Sequence, residues 1–100
     1  SFEEGSFTTK PIVLEGSRIA LNLSTSAVGY VKVELQTPEG EPIDGFTADD
    51  SETIFGDELR RTVRWNGRAD ISQLTGRPVR LRFILKDADI YALVNGDEEQ

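Results

Sequence analysis

Apolar and polar residues alternate one by one in three stretches of this sequence, and no other feature constrains its fold as strongly. The apolar members are Ile19, Leu21 and Leu23 in residues 18–24, Val31, Val33 and Leu35 in residues 30–37, and Val79, Leu81, Phe83 and Leu85 in residues 79–85. A period of two places successive side chains on opposite faces of a half-buried strand. No stretch of ten or more residues has the 3.6-residue period of a helix. The sequence therefore predicts an all-β fold, an antiparallel β-sandwich with a jelly-roll-like or immunoglobulin-like path.

Turn-forming residues divide this pattern into short strands. The expected turns are residues 15–17, 25–29, 66–67 and 87–89. The strands among them include residues 62–65 and 90–94, and residues 7–14 form a strand pair or one strand broken at Pro11. Asp70 is placed to cap one short helical turn over residues 71–74, which ends at Gly76. Ile43 and Phe46 are expected to close one end of the core. We expect a single domain over residues 1–100, with flexible ends at 1–6 and 96–100.

Two residue types that carry much of enzyme chemistry are missing from the sequence. Without cysteine there is no disulfide framework and no thiolate. Without histidine the usual general base and zinc ligand are absent. The acid pairs Asp49 with Asp57 and Asp87 with Asp89 lie in turn-like sequence, with no apolar pocket to tune them for glycoside hydrolysis. We therefore expect no enzyme. No apolar run approaches the ~20 residues of a membrane helix, so no membrane partner is expected.

The charges of the sequence fall into two blocks of opposite sign. The formal net charge is −7; residues 39–58 hold eight acids and no base, and residues 60–86 hold eight bases against Asp70 alone. Such blocks most simply pair with each other across neighbouring strands. A nucleic-acid surface needs its bases uncompensated, and the net charge repels phosphate, so no nucleic-acid partner is expected.

Residues 45–65 join the two charge blocks, and the sequence around them resembles a known type of domain. Residues 45–91 follow the pattern GFxxxDSxxIFGDELxRxVRWxGxxDxSxLxGRPVRLRFxLKDADIY, and the upstream GSRIALNLSTSAVGYVKVELQ fits it as well. This resembles the β-sandwich domain at the C-terminal end of multidomain bacterial proteins. Many of those carry an upstream glycoside-hydrolase β-propeller domain of the family 32, family 43 or sialidase type. Because the sequence begins without methionine and has no signal-peptide pattern, we expect a piece of a longer chain.

The resemblance implies a noncatalytic accessory module of a bacterial carbohydrate-active enzyme. Its partners would be a polysaccharide or oligosaccharide and the adjacent catalytic domain in the same chain. Its location would be extracellular or periplasmic. The alternative is a structural module that packs on the catalytic domain and stabilises it without binding sugar.

The candidate carbohydrate-binding residues are Tyr30, Glu34, Arg64, Trp65, Arg80 and Arg82. Trp65 offers an aromatic plane to a sugar ring, but it shares a strand face with Val63 and is otherwise a core anchor. Tyr30 lies on the outward face of its strand. The outward charges suit hydroxyl recognition; otherwise they form a solvated sheet face joined by cross-strand pairs. Ile84 interrupts that polar row, so part of the face is expected to be covered.

A structural calcium ion is the one cofactor that the sequence suggests. Its candidate ligands are Asp49, Asp50, Glu52 and Asp57, because hard cations take several carboxylate and carbonyl oxygens. The spacing is not that of an EF-hand loop. The alternative is that these acids cap turns and pair with nearby arginines.

Overall fold

The computed structural model describes residues 4–96 as antiparallel β structure with one 3-10 turn. The strands are β1 (Gly5–Thr8), β2 (Ile12–Val13), β3 (Arg18–Gln36), β4 (Glu58–Thr62) and β5 (Pro78–Gly96), and the 3-10 turn is Ser72–Leu74. The sheet has the order β1-β5-β3-β4, and β2 also pairs with β5. Every pairing is antiparallel. The predicted all-β class with one short helical turn is confirmed.

The two central strands are long and bent. Strands β3 and β5 each contain 19 residues. At about 3.3 Å per residue, such a strand would span about 60 Å if it were straight. The longest dimension of the molecule is 39 Å, so both strands bend. Both halves of the bent pair contribute inward side chains to the same core, and we refer to the two halves as the layers of the bent sheet.

The bend falls where turns were predicted, and this corrects the prediction for residues 25–29 and 87–89. The chain does not reverse there: Thr25 pairs with Ala88 and Tyr30 pairs with Lys86, so residues 26–29 bulge opposite Asp87 alone. A Cβ atom on Gly29 would lie 2.4 Å from the carbonyl oxygen of Asp87. The backbones can approach this closely only because residue 29 has no side chain.

One hydrophobic cluster fills the space between the layers. The alternating residues of the sequence are its centre: Ile19, Leu21, Leu23, Val31, Val33, Leu35, Val79, Leu81 and Phe83 are all buried. Phe46 is buried in the same cluster, and Ile43 packs against it. The predicted inward faces and the plug formed by Ile43 and Phe46 are therefore confirmed.

Residues 43–65 supply hydrogen-bond partners for the backbone groups of β3 on the edge that faces away from β5. At Val33 the partners are side chains: its N–H donates to Ser51 Oγ (3.1 Å), and its carbonyl accepts from Trp65 Nε1 (2.8 Å). On either side the partners are backbone groups, with Val31 bonded to Ile54 and Leu35 bonded to Phe46. Because buried backbone groups must be paired, this segment completes the sheet where no regular strand is present.

Several predicted boundaries hold and others shift. The Asn66-Gly67 hairpin is confirmed: both residues have positive φ, 51° and 81°, and Trp65 and Arg68 exchange backbone hydrogen bonds across it. The strand predicted at residues 62–65 is instead β4, Glu58–Thr62, and Trp65 forms only isolated bridges. Asp70 lies one residue before the N-cap position, and its Oδ1 accepts the Ser72 N–H (2.9 Å).

Parts of both predicted flexible ends lie in strands: residues 5 and 6 belong to β1 and residue 96 belongs to β5. The flexibility of the ends stays a prediction. Residues 1–3 and 97–100 lie outside the described residues. Within residues 4–96, no helix has the length and apolar character needed to cross a membrane.

Candidate functional site

Four of the six predicted carbohydrate-binding residues lie together on the outward side of one layer. We call this surface the polar face; it consists of Tyr30, Lys32, Glu34, Gln36, Arg80, Arg82, Ile84 and Lys86. Its two strands lie in direct register, with Tyr30 opposite Lys86, Lys32 opposite Ile84, Glu34 opposite Arg82, and Gln36 opposite Arg80. Directly opposed residues of an antiparallel pair share a face, so the eight side chains form one surface.

One end of the polar face is held by its own hydrogen bonds. Glu34 is only 5% exposed; its carboxylate accepts bonds from Gln36 Nε2 (2.9 Å) and from the Ala48 N–H (3.0 Å), and Arg82 Nη1 lies 3.6 Å away. Arg80 is fixed by two carbonyls, with Nε donating to Pro38 (2.7 Å) and Nη1 to Thr9 (3.1 Å). At this end the arrangement matches the alternative of a sheet face joined by cross-strand pairs.

The other end of the polar face keeps free polar groups around an aromatic ring. The Tyr30 hydroxyl donates to Glu4 Oε2, and this hydrogen bond raises the pKa of Tyr30. Lys32 Nζ lies 6.0 Å from the centre of the Tyr30 ring, within cation–π range. Within residues 4–96, neither Lys32 nor Lys86 makes a hydrogen bond or ion pair. Ile84, between them, is only 5% exposed, which confirms the expected covering.

The charge of the polar face differs in sign from that of the whole chain. Lys32, Arg80, Arg82 and Lys86 are its cations. Glu34 and the neighbouring Glu4 are the carboxylates beside them. The excess of cations lies on a chain whose formal net charge is −7. Ligands that carry negative charge are therefore attracted here although the molecule as a whole repels them.

The structure separates Trp65 and Arg64 from the polar face. Trp65 is 1% exposed, its ring packs edge-on against Phe46 at 5.4 Å, and its indole N–H is bound to Val33. It has no free face for a sugar ring, so the stacking role is wrong and the core-anchor alternative is correct. Arg64 lies beside it in residues 43–65, where its carbonyl accepts the Glu52 N–H.

The four predicted calcium ligands do not converge. Asp50 accepts bonds from Thr47 and from Asn66 Nδ2, and these bonds lower its pKa. Glu52 pairs with Arg61 (2.6 Å), while Asp57 accepts from the Ser24 hydroxyl (2.7 Å). Asp49 is exposed. The described part of the chain contains no group of three or more acids placed to hold a metal. The calcium site therefore stays a prediction, and the turn-capping and ion-pairing roles are the ones seen.

Four residues of the polar face, Lys32, Gln36, Ile84 and Lys86, were not among the six candidates, and neither was the neighbouring Glu4. Lys86 has a clear signal, because it continues the outward alternation of Arg80 and Arg82. Glu4 has none: its approach to Tyr30 depends on β1 pairing with β5 and β5 with β3, which no local pattern encodes.

No family model matches the chain, and comparisons with curated proteins and with solved structures found no match. The proposals that follow rest on the geometry of the residues and on the sequence pattern.

Proposed function

We propose that this chain is a noncatalytic carbohydrate-binding domain whose polar face binds a polysaccharide or oligosaccharide. In this proposal it is an accessory domain of a larger bacterial carbohydrate-active enzyme that acts outside the cell or in the periplasm. The sequence resemblance supports the context, and the polar face supports the ligand class.

The single observation that carries the proposal is the setting of Tyr30. Its hydroxyl is anchored by Glu4 at one end, and the ammonium groups of Lys32 and Lys86, which form no ion pair within residues 4–96, lie on the same surface. A sugar ring has an apolar C–H face, which suits an aromatic plane, and hydroxyl groups, which suit charged hydrogen-bond partners. A flat sheet surface with this combination accommodates an extended chain of sugar rings.

Two carboxylates with shifted pKa values, Asp50 and Asp70, are anchors of turns. A glycosidase needs a carboxylic acid whose pKa is raised by its surroundings. The pKa of Asp50 is instead lowered by Asn66 and Thr47, and that of Asp70 is lowered by Ser72. Both shifts keep the groups ionised, as anchors of turns.

Affinity electrophoresis and calorimetry with a panel of neutral and acidic polysaccharides test the proposal. We expect Tyr30→Ala to weaken binding about tenfold or more, about 1.4 kcal/mol. Tyr91→Ala is the matched control, because Tyr91 is 69% exposed on the other half of β5. Absence of binding across the panel, or equal losses in both variants, would contradict the proposal.

A second candidate function, packing against an adjacent domain of the same chain, is favoured by exposed apolar side chains along β1 and β2. Phe7, Ile12 and Val13 are exposed and belong to the strands that flank β5. Val13→Ser should leave the stability of the 100-residue chain unchanged but lower the melting temperature of a longer protein that contains the neighbouring domain. Leu59→Ser, on β4, is the control.

A further inference from the structure

A cleft separate from the polar face lies between three loop segments. It has a volume of about 360 Å³ and is lined by Asp44, Gly45, Phe46, Trp65, Arg68, Asp70 and Gln73. We call it the loop cleft. Its volume lies near the lower end of the ~300–1,000 Å³ range of small-molecule sites.

Each wall of the loop cleft is a turn held by backbone hydrogen bonds. The first turn is closed by the Phe46 N–H and the Ile43 carbonyl (2.9 Å), and the second by the mutual bonds of Trp65 and Arg68. The third begins at Asp70, which accepts the Ser72 N–H, and Leu74 anchors it in the core. A site formed by closed turns loses little conformational entropy when a ligand binds.

The rim of the loop cleft is polar. Beneath it the rings of Phe46 and Trp65 are 7% and 1% exposed and pack edge to face, so they close the base of the cleft without offering a face for stacking. Asp44 and Gln73 are exposed at this rim, and Arg68 lies close enough to Asp50 for its charge to help lower the pKa of that carboxyl. Asp70 accepts the Ser72 N–H through Oδ1, and the Ser72 side chain and the charge of Arg18 also act on its carboxylate. Carboxylates, a guanidinium and an amide are the groups that hydrogen-bond neighbouring hydroxyls.

We propose that the loop cleft is a second binding site, which takes one sugar ring at the end of a neutral saccharide. Two carboxylates against one guanidinium disfavour a phosphate, sulfate or carboxylate, so the ligand is neutral and rich in hydroxyls. The volume suits one ring, whereas the flat polar face suits the interior of a chain. This inference takes only its ligand class, a saccharide, from the proposed function. The loop cleft and the polar face have no residue in common.

The test uses the whole 100-residue chain and a panel of neutral monosaccharides and disaccharides. Binding is followed by calorimetry and by the NMR signals of the Trp65 indole N–H and the Arg68 amide. We expect Asp44→Asn and Gln73→Ala each to weaken binding about tenfold, because the first removes the charge that strengthens the hydrogen bonds to the ligand and the second removes the hydrogen-bonding group. Both residues are exposed, and circular dichroism verifies the fold of each variant. Asp49→Asn, an exposed acid outside the cleft, and Tyr30→Ala, on the polar face, should leave this binding unchanged.

The outcomes separate this inference from the proposed function. Loss of binding in Asp44→Asn and Gln73→Ala, with binding retained in Tyr30→Ala and Asp49→Asn, supports the loop cleft. Loss in Tyr30→Ala alone overturns the cleft and leaves the polar face as the site. Absence of binding to every neutral sugar of the panel also overturns the cleft, while polysaccharide binding by the polar face is decided by its own variants.

Discussion

Replacing Ser51 with alanine tests whether side chains complete the sheet at Val33. Ser51 is 8% exposed, and its hydroxyl accepts the Val33 N–H (3.1 Å) and donates to the Glu52 carbonyl (2.9 Å). The substitution removes one oxygen and adds no bulk. Val33 is fully buried, so water does not replace the lost acceptor, and its N–H is left unpaired.

The expected cost follows from that unpaired group. A buried donor without its partner costs about 1–3 kcal/mol, whereas an exposed bond is replaced by water at little cost. At a slope of about 2 kcal/mol per molar urea, a loss of 2 kcal/mol lowers the unfolding midpoint by about 1 M. For a domain of this size, the melting temperature falls by about 4–8 °C per kcal/mol.

Urea unfolding followed by tryptophan fluorescence measures this effect directly. Trp65 is the only tryptophan and is bound to the same residue, Val33, so its emission reports the packing at this point. Ser26→Ala is the matched control: the Ser26 hydroxyl also accepts a backbone N–H, that of Val28 (3.3 Å), but at an exposed position. We expect its effect to stay within about 0.5 kcal/mol.

Equal urea midpoints for Ser51→Ala and Ser26→Ala would contradict this expectation. If Ser51→Ala unfolds at the same urea concentration as Ser26→Ala, then the Val33 N–H has another partner in solution, and residues 43–65 do not complete the edge of β3. A lower slope with an unchanged midpoint would instead indicate a change in the unfolded state.

Four further results are expected. Gly29→Ala should destabilise the chain by about 1–3 kcal/mol in urea unfolding, because its Cβ meets the Asp87 carbonyl, while Gly5→Ala, with open space around it, should not. The pKa of Asp50 is lowered in the folded state, so its contribution to stability is present above the unfolded pKa of about 3.9 and is lost as pH falls through the folded value. In Asp50→Asn, the free energy of unfolding, measured at several acidic pH values, should therefore fall less steeply with decreasing pH. The pKa of Tyr30 is raised, so its contribution to stability is complete below its unfolded pKa of about 10 and is lost as pH rises through the folded value. Tyr30→Phe should not show this loss of stability at alkaline pH. An ultraviolet titration of both proteins identifies the tyrosine that ionises. If the predicted calcium site exists, added Ca²⁺ raises the melting temperature and a chelator reverses the rise, since a ligand of the folded state must stabilise it; an unchanged temperature removes the site.

The core could be predicted from the sequence because strand periodicity is local. Ile19, Leu21 and Leu23 are buried as the alternation required, and the Asn66-Gly67 hairpin followed from turn chemistry alone. The continuity of the long strands could not be predicted. The small residues 25–29 interrupt the alternation, and an interruption indicates equally a reversal or a bulge. The choice depends on whether the partner strand continues past the same level, which it does, with Asp87 alone opposite residues 26–29.

The role of Trp65 shows where local reasoning about the site reaches its limit. Alternation with Val63 placed Trp65 inside, and the burial agrees. Its indole N–H, however, completes β3 at Val33, 32 positions earlier in the chain. Only the fold shows that a tryptophan and a serine act as the missing strand, and that Asp50, Glu52 and Asp57 bind neighbouring residues around them.

The loop cleft could not be found in the sequence for the same reason, and this affects how the chain can bind sugar. Asp44, Arg68 and Gln73 come from three separate turns, none of which has a periodic signal. They meet because Ile43 and Phe46 pack at the same end of the core as Trp65. The bent sheet thus provides two surfaces of different shape, a flat cationic face and an anionic cleft between turns. If the polar face and the loop cleft both bind sugar, a polysaccharide with a neutral end that spans the two sites should bind more tightly than a fragment that reaches only one of them. Comparing such a polymer with its short fragments in Tyr30→Ala, Asp44→Asn and the double variant measures that coupling, and strictly additive losses would show that the two surfaces bind separate molecules.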